Sequence, residues 1–434
     1  MSEGLWLFGV VINDNLEKGM IMMNVHVIKT VPIEFKQVVE AYRKVRKGGK
    51  AVGIDGESWK EFDKNPERNL YVIWNRLASG SYHPQAVREA EIPKKDGKKR
   101  KLGIPTLRDR IAQQVVKDYM EKRIDQLFHE NSYGYRPLKN THQAIEQVRK
   151  NSYKYDWAID LDISKFFDEI DHELMLKAVE HVIEDKWVRM YVERWLQMPV
   201  EKRDGTKEPR HGKGTPQGGV ISPLLANLYL HFTLDVWLTR HYPQVSFVRY
   251  ADDVVIHCKS KAQSEEVLKG VEKRLEAVKL KLKQEKTRIA YCKDYRRKER
   301  HEVVKFEFLG YSFQPRARKS KNDGKLFTAF TAEISQTNQK RLRGEIKGER
   351  AWNDTRLEVA EIADRLNSKL RGWIGYYGLY SNKSLRRVLL HVDLRLIKWM
   401  KKKYRLGTRK AIAKLTLMKK ENPKLFYHWE AGYG

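Results

Sequence analysis

Only two cysteines, Cys258 and Cys292, occur in 434 residues. Two are too few for a disulfide scaffold, a four-cysteine zinc site or an all-cysteine iron–sulfur cluster. They fit a reducing compartment, and the expected location is cytoplasmic. No apolar run approaches the ~20 residues of a membrane-spanning helix, so no membrane is expected among the partners. The short run Leu5 to Ile12 follows Glu3. It lacks a basic start and a small-residue cleavage site, and makes a poor secretory signal. Internal repeats and low-complexity blocks are missing as well. So is the low hydrophobicity that disorder requires, because 41% of residues are apolar and 11% aromatic.

Positive charge is abundant. Lysine and arginine number 86 against 56 acidic residues, a formal charge of +30. Such a charge repels itself, and a polyanion relieves the repulsion. Nucleic acid is the first partner to test; an anionic membrane surface ranks second and is not expected. The excess is uneven, since residues 335–434 alone carry a net +15. A polar, basic stretch, Pro315 to Gly324, precedes that region and reads as a domain boundary. Residues 1–32 read as an N-terminal extension in which Met20, Met22 and Met23 offer later starts. Residues 33–313 mix strands and helices, with the firmest part from about 74 onward. Residues 314–434 read as a basic helical domain, with Leu357, Ile362, Leu366 and Leu370, then Leu385, Leu389, Leu396 and Met400, at helical spacing. The fold class expected is α+β.

Two acidic motifs carry chemistry. Tyr250-Ala-Asp-Asp253 lies between two apolar strands, Phe247 to Cys258, which read as a hairpin. Adjacent carboxylates beside an apolar sheet repel each other and resist desolvation, and a divalent cation relieves both problems. The plainer alternative is an exposed acidic turn. The second motif is Trp157-Ala-Ile-Asp-Leu-Asp-Ile-Ser-Lys-Phe-Phe-Asp168. On a strand, Asp160 and Asp162 point to one face. Asp162 is expected to join Asp252 and Asp253, whereas Asp160 is read as capping a strand end and Asp168 as starting a helix. Three aspartates from separate strands suit a two-metal phosphoryl-transfer site.

These motifs, with Gly214-Thr-Pro-Gln-Gly-Gly-Val-Ile-Ser-Pro-Leu-Leu-Ala-Asn227, resemble the reverse transcriptases encoded by bacterial group II introns. Arg100 to Thr106 with Asp109-Arg110, Ser132 to Pro137, Glu285-Lys-Thr-Arg288 and Phe308-Leu-Gly310 resemble them too, in the same order. The resemblance runs from about Phe35 to near the end. It implies a right-hand polymerase: fingers and palm with antiparallel sheet, then a helical thumb or maturase domain. It implies Asp162, Asp252 and Asp253 as ligands of two Mg²⁺ ions, with Mn²⁺ able to substitute. Phe167 would close on the sugar 2′ position and admit deoxynucleotides; ordinary core packing is its alternative. Lys94 and Arg100 would meet the triphosphate, while Lys95, Lys98, Lys99 and Lys101 read as a solvated charge run. Gln217, with Gly218 and Gly219, would lie against the templating pair. Lys286 would protonate pyrophosphate, or be a plain surface lysine.

The segment Leu370-Arg-Gly-Trp-Ile-Gly-Tyr-Tyr-Gly378 resembles the maturase-specific part of the same family. Trp373, Ile374 and Tyr377 read as core. Nucleic-acid contacts are assigned to Lys369, Arg371, Arg386, Arg387, Lys401, Lys402 and Lys403. The sequence shows no cysteine pairs after this segment, and the form of the family without an endonuclease domain is expected. The function implied is RNA-directed DNA synthesis with help in splicing and mobility. The partners implied are the intron RNA, an RNA template with a DNA primer, deoxynucleoside triphosphates and a DNA target, within a bacterial ribonucleoprotein. Two alternatives remain: an RNA-binding splicing cofactor with incidental polymerase activity, or a domesticated reverse transcriptase, for example in phage defence. An RNA-dependent RNA polymerase is disfavoured by Phe167.

Overall fold

The computed structural model of the chain describes residues 31–93, 99–320 and 322–434. Most of the N-terminal extension, and Lys94, Lys95 and Lys98 of the basic turn, lie outside the described residues. Three helices come first: α1 (Phe35–Arg46), α2 (Pro66–Ala78) and α3 (Leu107–Ile124). Each start has a local cause. Glu34 and Gln37 form a reciprocal capping box on α1. Pro66 opens α2, where its missing N–H is not needed. Thr106 caps α3 by accepting from the Asp109 N–H. Between α2 and α3, β1 (Val87–Pro93) and β2 (Lys99–Ile104) form an antiparallel ribbon. β1 also runs parallel to the short β4 (Val200–Glu201), which pairs with β5 (Lys207–Glu208).

The central sheet holds β3 (Trp157–Asp162), β6 (Ser246–Tyr250), β7 (Asp253–Cys258) and β8 (Arg288–Tyr291), in the order β6-β7-β3-β8. All its pairings are antiparallel. Helices cover both faces, so β7 reads as a continuous apolar run instead of alternating. α4 (Thr141–Lys154) places Ile145 and Val148 in one core with Ala158, Val248 and Val255. α8 (Lys261–Ala277) places Val267, Val271 and Leu275 in another with Ile159, Leu161 and Ile256. The period of two divides each strand between these cores. Helices α5 (His172–Val182), α6 (Lys186–Leu196) and α7 (Ser222–Leu230) complete the second core.

A third sheet joins β9 (Phe306–Phe308), β10 (Tyr311–Lys319) and β11 (Leu326–Ile334) in the order β11-β10-β9. This corrects the reading of Pro315 to Gly324 as a boundary. β10 runs unbroken across residues 313 and 314, paired with β11 from Tyr311 to Lys319. β9 reaches only Tyr311 to Phe313. Beyond it Pro315 lies at a free edge of the strand, where a missing N–H costs no ladder bond. Proline and cations disguised a strand as a loop.

The C-terminal part is helical: α9 (Gln336–Gly348), α10 (Val359–Tyr377), α11 (Asn382–Lys403) and α12 (Thr408–Glu421). Leu366, Leu370, Leu385, Leu389, Leu396 and Met400 are buried, and so are Trp373 and Tyr377. These side chains share their core with Ala158, Val255 and Phe306 of the preceding region. Buried Asp393 accepts from Trp429 Nε1 (2.9 Å) and Lys419 Nζ (2.7 Å), which closes the chain end onto α11. No helix among the described residues is long and apolar enough to cross a membrane.

Candidate active site

β6 and β7 meet through a two-residue turn, Ala251-Asp252, because Tyr250 pairs with Asp253. Ala251 has φ +56°, a conformation usually left to glycine in hairpin turns of this kind. A buried network supports it. Arg249 donates to Asp235 from Nε (2.8 Å) and Nη2 (2.6 Å), with both side chains fully buried. Its Nη1 donates to Asn227 Oδ1 (2.9 Å) and to the Ala251 carbonyl (3.2 Å). Asn227 Nδ2 in turn donates to the Gly134 carbonyl (2.6 Å). A Cβ on Gly134 would stand 2.4 Å from the Ala251 nitrogen, so only glycine lets that loop reach the turn.

Asp162 ends β3 directly opposite Asp253, the first residue of β7. The three expected aspartates are therefore brought to one end of the central sheet. Lys286 Nζ sits 3.0 Å from Asp162 Oδ2. The Lys283 N–H donates to the Asp162 carbonyl (2.8 Å), fixing the lysine-bearing turn to the strand end. A cleft of about 420 Å³ is lined by Asp160, Asp162, Asp253, Lys286, Arg288 and Glu307, among others.

Asp160 is a correction. It caps no strand end: it lies two residues inside β3, opposite Val255 and Arg288, on the face of Asp162. The period of two already carried this signal. Burial, then the charges of Asp253 and Asp162, push its carboxyl up to about 7, against the pull of the Glu307 backbone and Arg288. Burial and the Asp162 charge likewise raise Asp252, opposed by Arg100 and Arg249. Carboxylates that hold each other's ionisation back are what a divalent cation stabilises. The donor set is all oxygen, which suits a hard ion such as Mg²⁺. Among the described residues no three or more His, Cys, Asp or Glu side chains are grouped closely enough to hold a metal ion; the aspartates line one end of the sheet.

The nucleotide-site candidates converge on the neighbouring ribbon. Arg100 Nε donates to Gln217 Oε1 (2.5 Å), and Gln217 Nε2 donates to Asp168 Oδ1 (3.0 Å). The Gly103 N–H donates to the Gln217 carbonyl (2.9 Å). Gly218 has φ +126°, and a Cβ there would meet the Gly103 carbonyl at 2.7 Å. Phe167 is buried on a single helical turn, Phe166–Glu169, and its carbonyl accepts from the Thr215 N–H (2.8 Å). Lys165, in the left-handed region at φ +44°, turns the chain from β3 into that helix. Lys94 lies outside the described residues.

The seven C-terminal cations do not form one patch. Arg386 and Lys401 are fifteen residues apart on α11, about 22 Å at 1.5 Å per residue. Lys369 pairs with Glu349 (2.9 Å), and Arg371 lies over the Tyr427 ring (5.3 Å). Arg386 donates to the Gly432 carbonyl (2.6 Å) and Lys401 to Thr408 Oγ1 (2.8 Å). Lys403 donates to the Leu357 carbonyl (2.6 Å) and Glu358 (2.5 Å), tying α11 to the start of α10. Lys402 is exposed, and Arg387 stands on the same helix. The buried Arg249–Asp235 pair was missed in the sequence, where only its isolated charges are visible.

The family described as reverse transcriptase (RNA-dependent DNA polymerase) matches residues 92–313, and the group II intron maturase-specific domain matches residues 339–416. Protein YkfC of Escherichia coli (strain K12) is 33% identical over 286 residues, covering 57% of this chain and 74% of that protein. The group II intron-encoded protein LtrA of Lactococcus lactis subsp. cremoris is 26% identical over 423 residues, covering 77% and 67%. A nuclear intron maturase 1, mitochondrial, of Arabidopsis thaliana is 25% identical over 114 residues, covering 26% and 16%.

Proposed function

We propose a site assignment for this chain, which belongs to the reverse transcriptase (RNA-dependent DNA polymerase) family and carries the maturase-specific domain of group II introns. It is an RNA-directed DNA polymerase of the group II intron type, with a splicing role, and its family uses divalent metal ions. The finer reading is ours. Asp162, Asp252 and Asp253 would hold two Mg²⁺ ions, which would supply charge neutralisation to phosphoryl transfer. The observation that carries this is the pairing of Asp162 with Asp253 beside the Ala251-Asp252 turn.

The chain's own residues then divide the work. Arg100 and Lys94 bind the triphosphate, where fixed cations offset developing charge. Gln217 orients the nucleotide against the template, on backbone that Gly218 lets approach closely. Phe167 sets the wall against the sugar. Lys286 carries a proton within reach of Asp162 and delivers it to the departing pyrophosphate. We assign the region from residue 33 through the central sheet to fingers and palm, and the helices from Gln336 onward to thumb and maturase region. We place the protein in the bacterial cytoplasm as a ribonucleoprotein, supported by its charge of +30.

Primer extension on an RNA template tests the assignment, with deoxynucleotides and Mg²⁺ present. The wild type should extend, and the folded Asp252→Ala, Asp253→Ala variant should not. Equal extension by both would remove the metal site from these residues.

A further inference from the structure

A cavity of about 580 Å³ opens at the opposite end of the central sheet from the aspartates. It lies between the last turn of α4, the loop after β8 and the outer half of the β10–β11 hairpin. Its lining residue Lys154 precedes β3 by three residues, and Asp162 stands at the far end of that strand, five residues and about 17 Å from its first residue. The walls are fixed. Arg297 donates to Asp156 Oδ1 (2.6 Å) and to the carbonyls of Ser152 (2.8 Å) and Tyr153 (2.9 Å). The Tyr295 N–H donates to the Thr328 carbonyl (2.8 Å), fastening the loop to β11.

Two features of the lining belong together. Three aromatic side chains stand uncovered: Tyr153 is 59% exposed, Tyr295 52% and Phe327 37%. Folding alone gives no reason to hold such rings at a surface. They are nevertheless held, with Tyr295 and Phe327 perpendicular at 5.9 Å and Arg296 lying 4.0 Å over Tyr153. Around them stand Lys150, Lys154 and Arg318, none with an ion pair among the described residues. Arg318 is the cross-strand neighbour of Phe327. The one acid of the lining, Asp294, is buried and already bound by Arg296 and Arg297. The cavity is thus cationic and aromatic at once.

We infer that this cavity docks a single-stranded segment of RNA, with bases stacked on Tyr295 and Phe327 and phosphates on Lys150, Lys154 and Arg318. Flat rings beside uncommitted cations are the recognition chemistry of an unpaired nucleic acid strand. A duplex keeps its bases stacked on one another and has none to offer these rings. The inference rests on the reading of the chain as a reverse transcriptase, whose DNA product leaves paired to its template. The unpaired strand is therefore RNA, and because the cavity lies at the other end of the sheet from the aspartates we assign it to a loop of the intron. This is a second contact surface, separate from the aspartates and from the cations of α10 and α11.

The test uses the full chain and a twelve-nucleotide oligoribonucleotide carrying 4-thiouridine, beside its deoxy counterpart. Ultraviolet crosslinking followed by peptide mapping should place RNA on peptides containing Tyr295 or Phe327. The triple variant Lys150→Glu, Lys154→Glu, Arg318→Glu should bind the oligoribonucleotide roughly tenfold more weakly. Its salt slope should fall by about 2, as expected for three phosphate contacts on a single strand. Tyr295→Ser with Phe327→Ser should lose the crosslink and keep the salt slope. All five positions are exposed or half-buried, so both variants should keep the wild-type circular dichroism and extend a short primer–template duplex at the wild-type rate. Crosslinks confined to other peptides, crosslinks with the deoxy probe only, or an unchanged affinity and slope would each overturn the inference. A wild type that crosslinks at Tyr295 without extending a primer would support the cavity and overturn the polymerase reading instead.

Discussion

Arg249 and Asp235 form a fork-to-fork ion pair with no exposed surface, and the same guanidinium holds the carbonyl of Ala251. The pair thus lies under the turn that presents Asp252 and Asp253. Removing one partner leaves a buried charge uncompensated, so Asp235→Ala should destabilise the chain by about 3–5 kcal/mol in denaturant unfolding. The double variant Arg249→Met, Asp235→Leu should recover most of that stability. Its polymerase rate should stay at least about tenfold down, because nothing then restrains Ala251 (a loss of ~1.4 kcal/mol at the transition state). A stable double variant at full rate would reduce the pair to a structural one.

Asp252 should behave oppositely in folding and in catalysis. Asp252→Asn relieves a group whose ionisation is disfavoured by burial and by Asp162. It should therefore leave the melting temperature unchanged or raise it. The same change should cost the rate roughly 10³-fold or more, since a metal ligand serves both the attacking and the leaving oxygen. Single-turnover extension and calorimetry on one preparation would separate the two effects.

Phe167 should decide between sugars. It is buried beside the Thr215 loop, so alanine there risks a core cavity worth about 3–5 kcal/mol. Phe167→Val is the gentler probe. The ratio of kcat/KM for deoxynucleotide over ribonucleotide should fall by about 10–100-fold, chiefly through faster ribonucleotide use. An unchanged ratio with lowered stability would mark Phe167 as core alone.

Gly134→Ala should damage the turn from the opposite side. Its Cβ has nowhere to go but into the Ala251 backbone. Forced backbone shifts of this kind cost about 1–3 kcal/mol. KM for the primer–template should change little, and kcat should fall, because the fault lies under Asp252 and away from the binding ribbon.

Asp109 gives a pH signature. It accepts from Tyr82 Oη (2.8 Å), Thr106 Oγ1 (2.8 Å) and the Gln85 N–H (3.2 Å), yet burial still pushes its carboxyl up to about 6. The folded chain then keeps a proton that the unfolded chain has released above about 3.9. Stability conferred by this group is therefore present at low pH and lost as pH rises from about 4 to 6. Subtracting the Asp109→Asn stability curve from the wild-type curve should reveal that fall, of the order of 3 kcal/mol. A flat difference would show that the three hydrogen bonds already hold the carboxylate ionised.

Periodicity made much of this legible. The β6–β7 hairpin, β3 and the helices α10 and α11 stand where their apolar spacing places them, because burial on one or two faces writes itself into sequence. The convergence of Asp162 with Asp252 and Asp253 followed from two strand motifs. What stayed hidden depends on long-range pairing. Arg249 meets Asp235, and Arg100 meets Gln217 from 117 residues away; no local pattern marks either. The β10–β11 hairpin was hidden for a different reason, since Pro315 and three cations occupy strand positions that only an edge tolerates.

That hairpin also decides how the molecule can be divided. Its strands cross the junction between polymerase and helical parts, and the core beneath it mixes Ala158, Val255 and Phe306 with Leu366 and Trp399. A cut at residue 313 would sever β10 after its third residue and open the palm to water. Copying and splicing thus sit on one cooperative folding unit. A lineage that ceases to need one activity is free to lose its side chains, but deletion of that half would take the other with it.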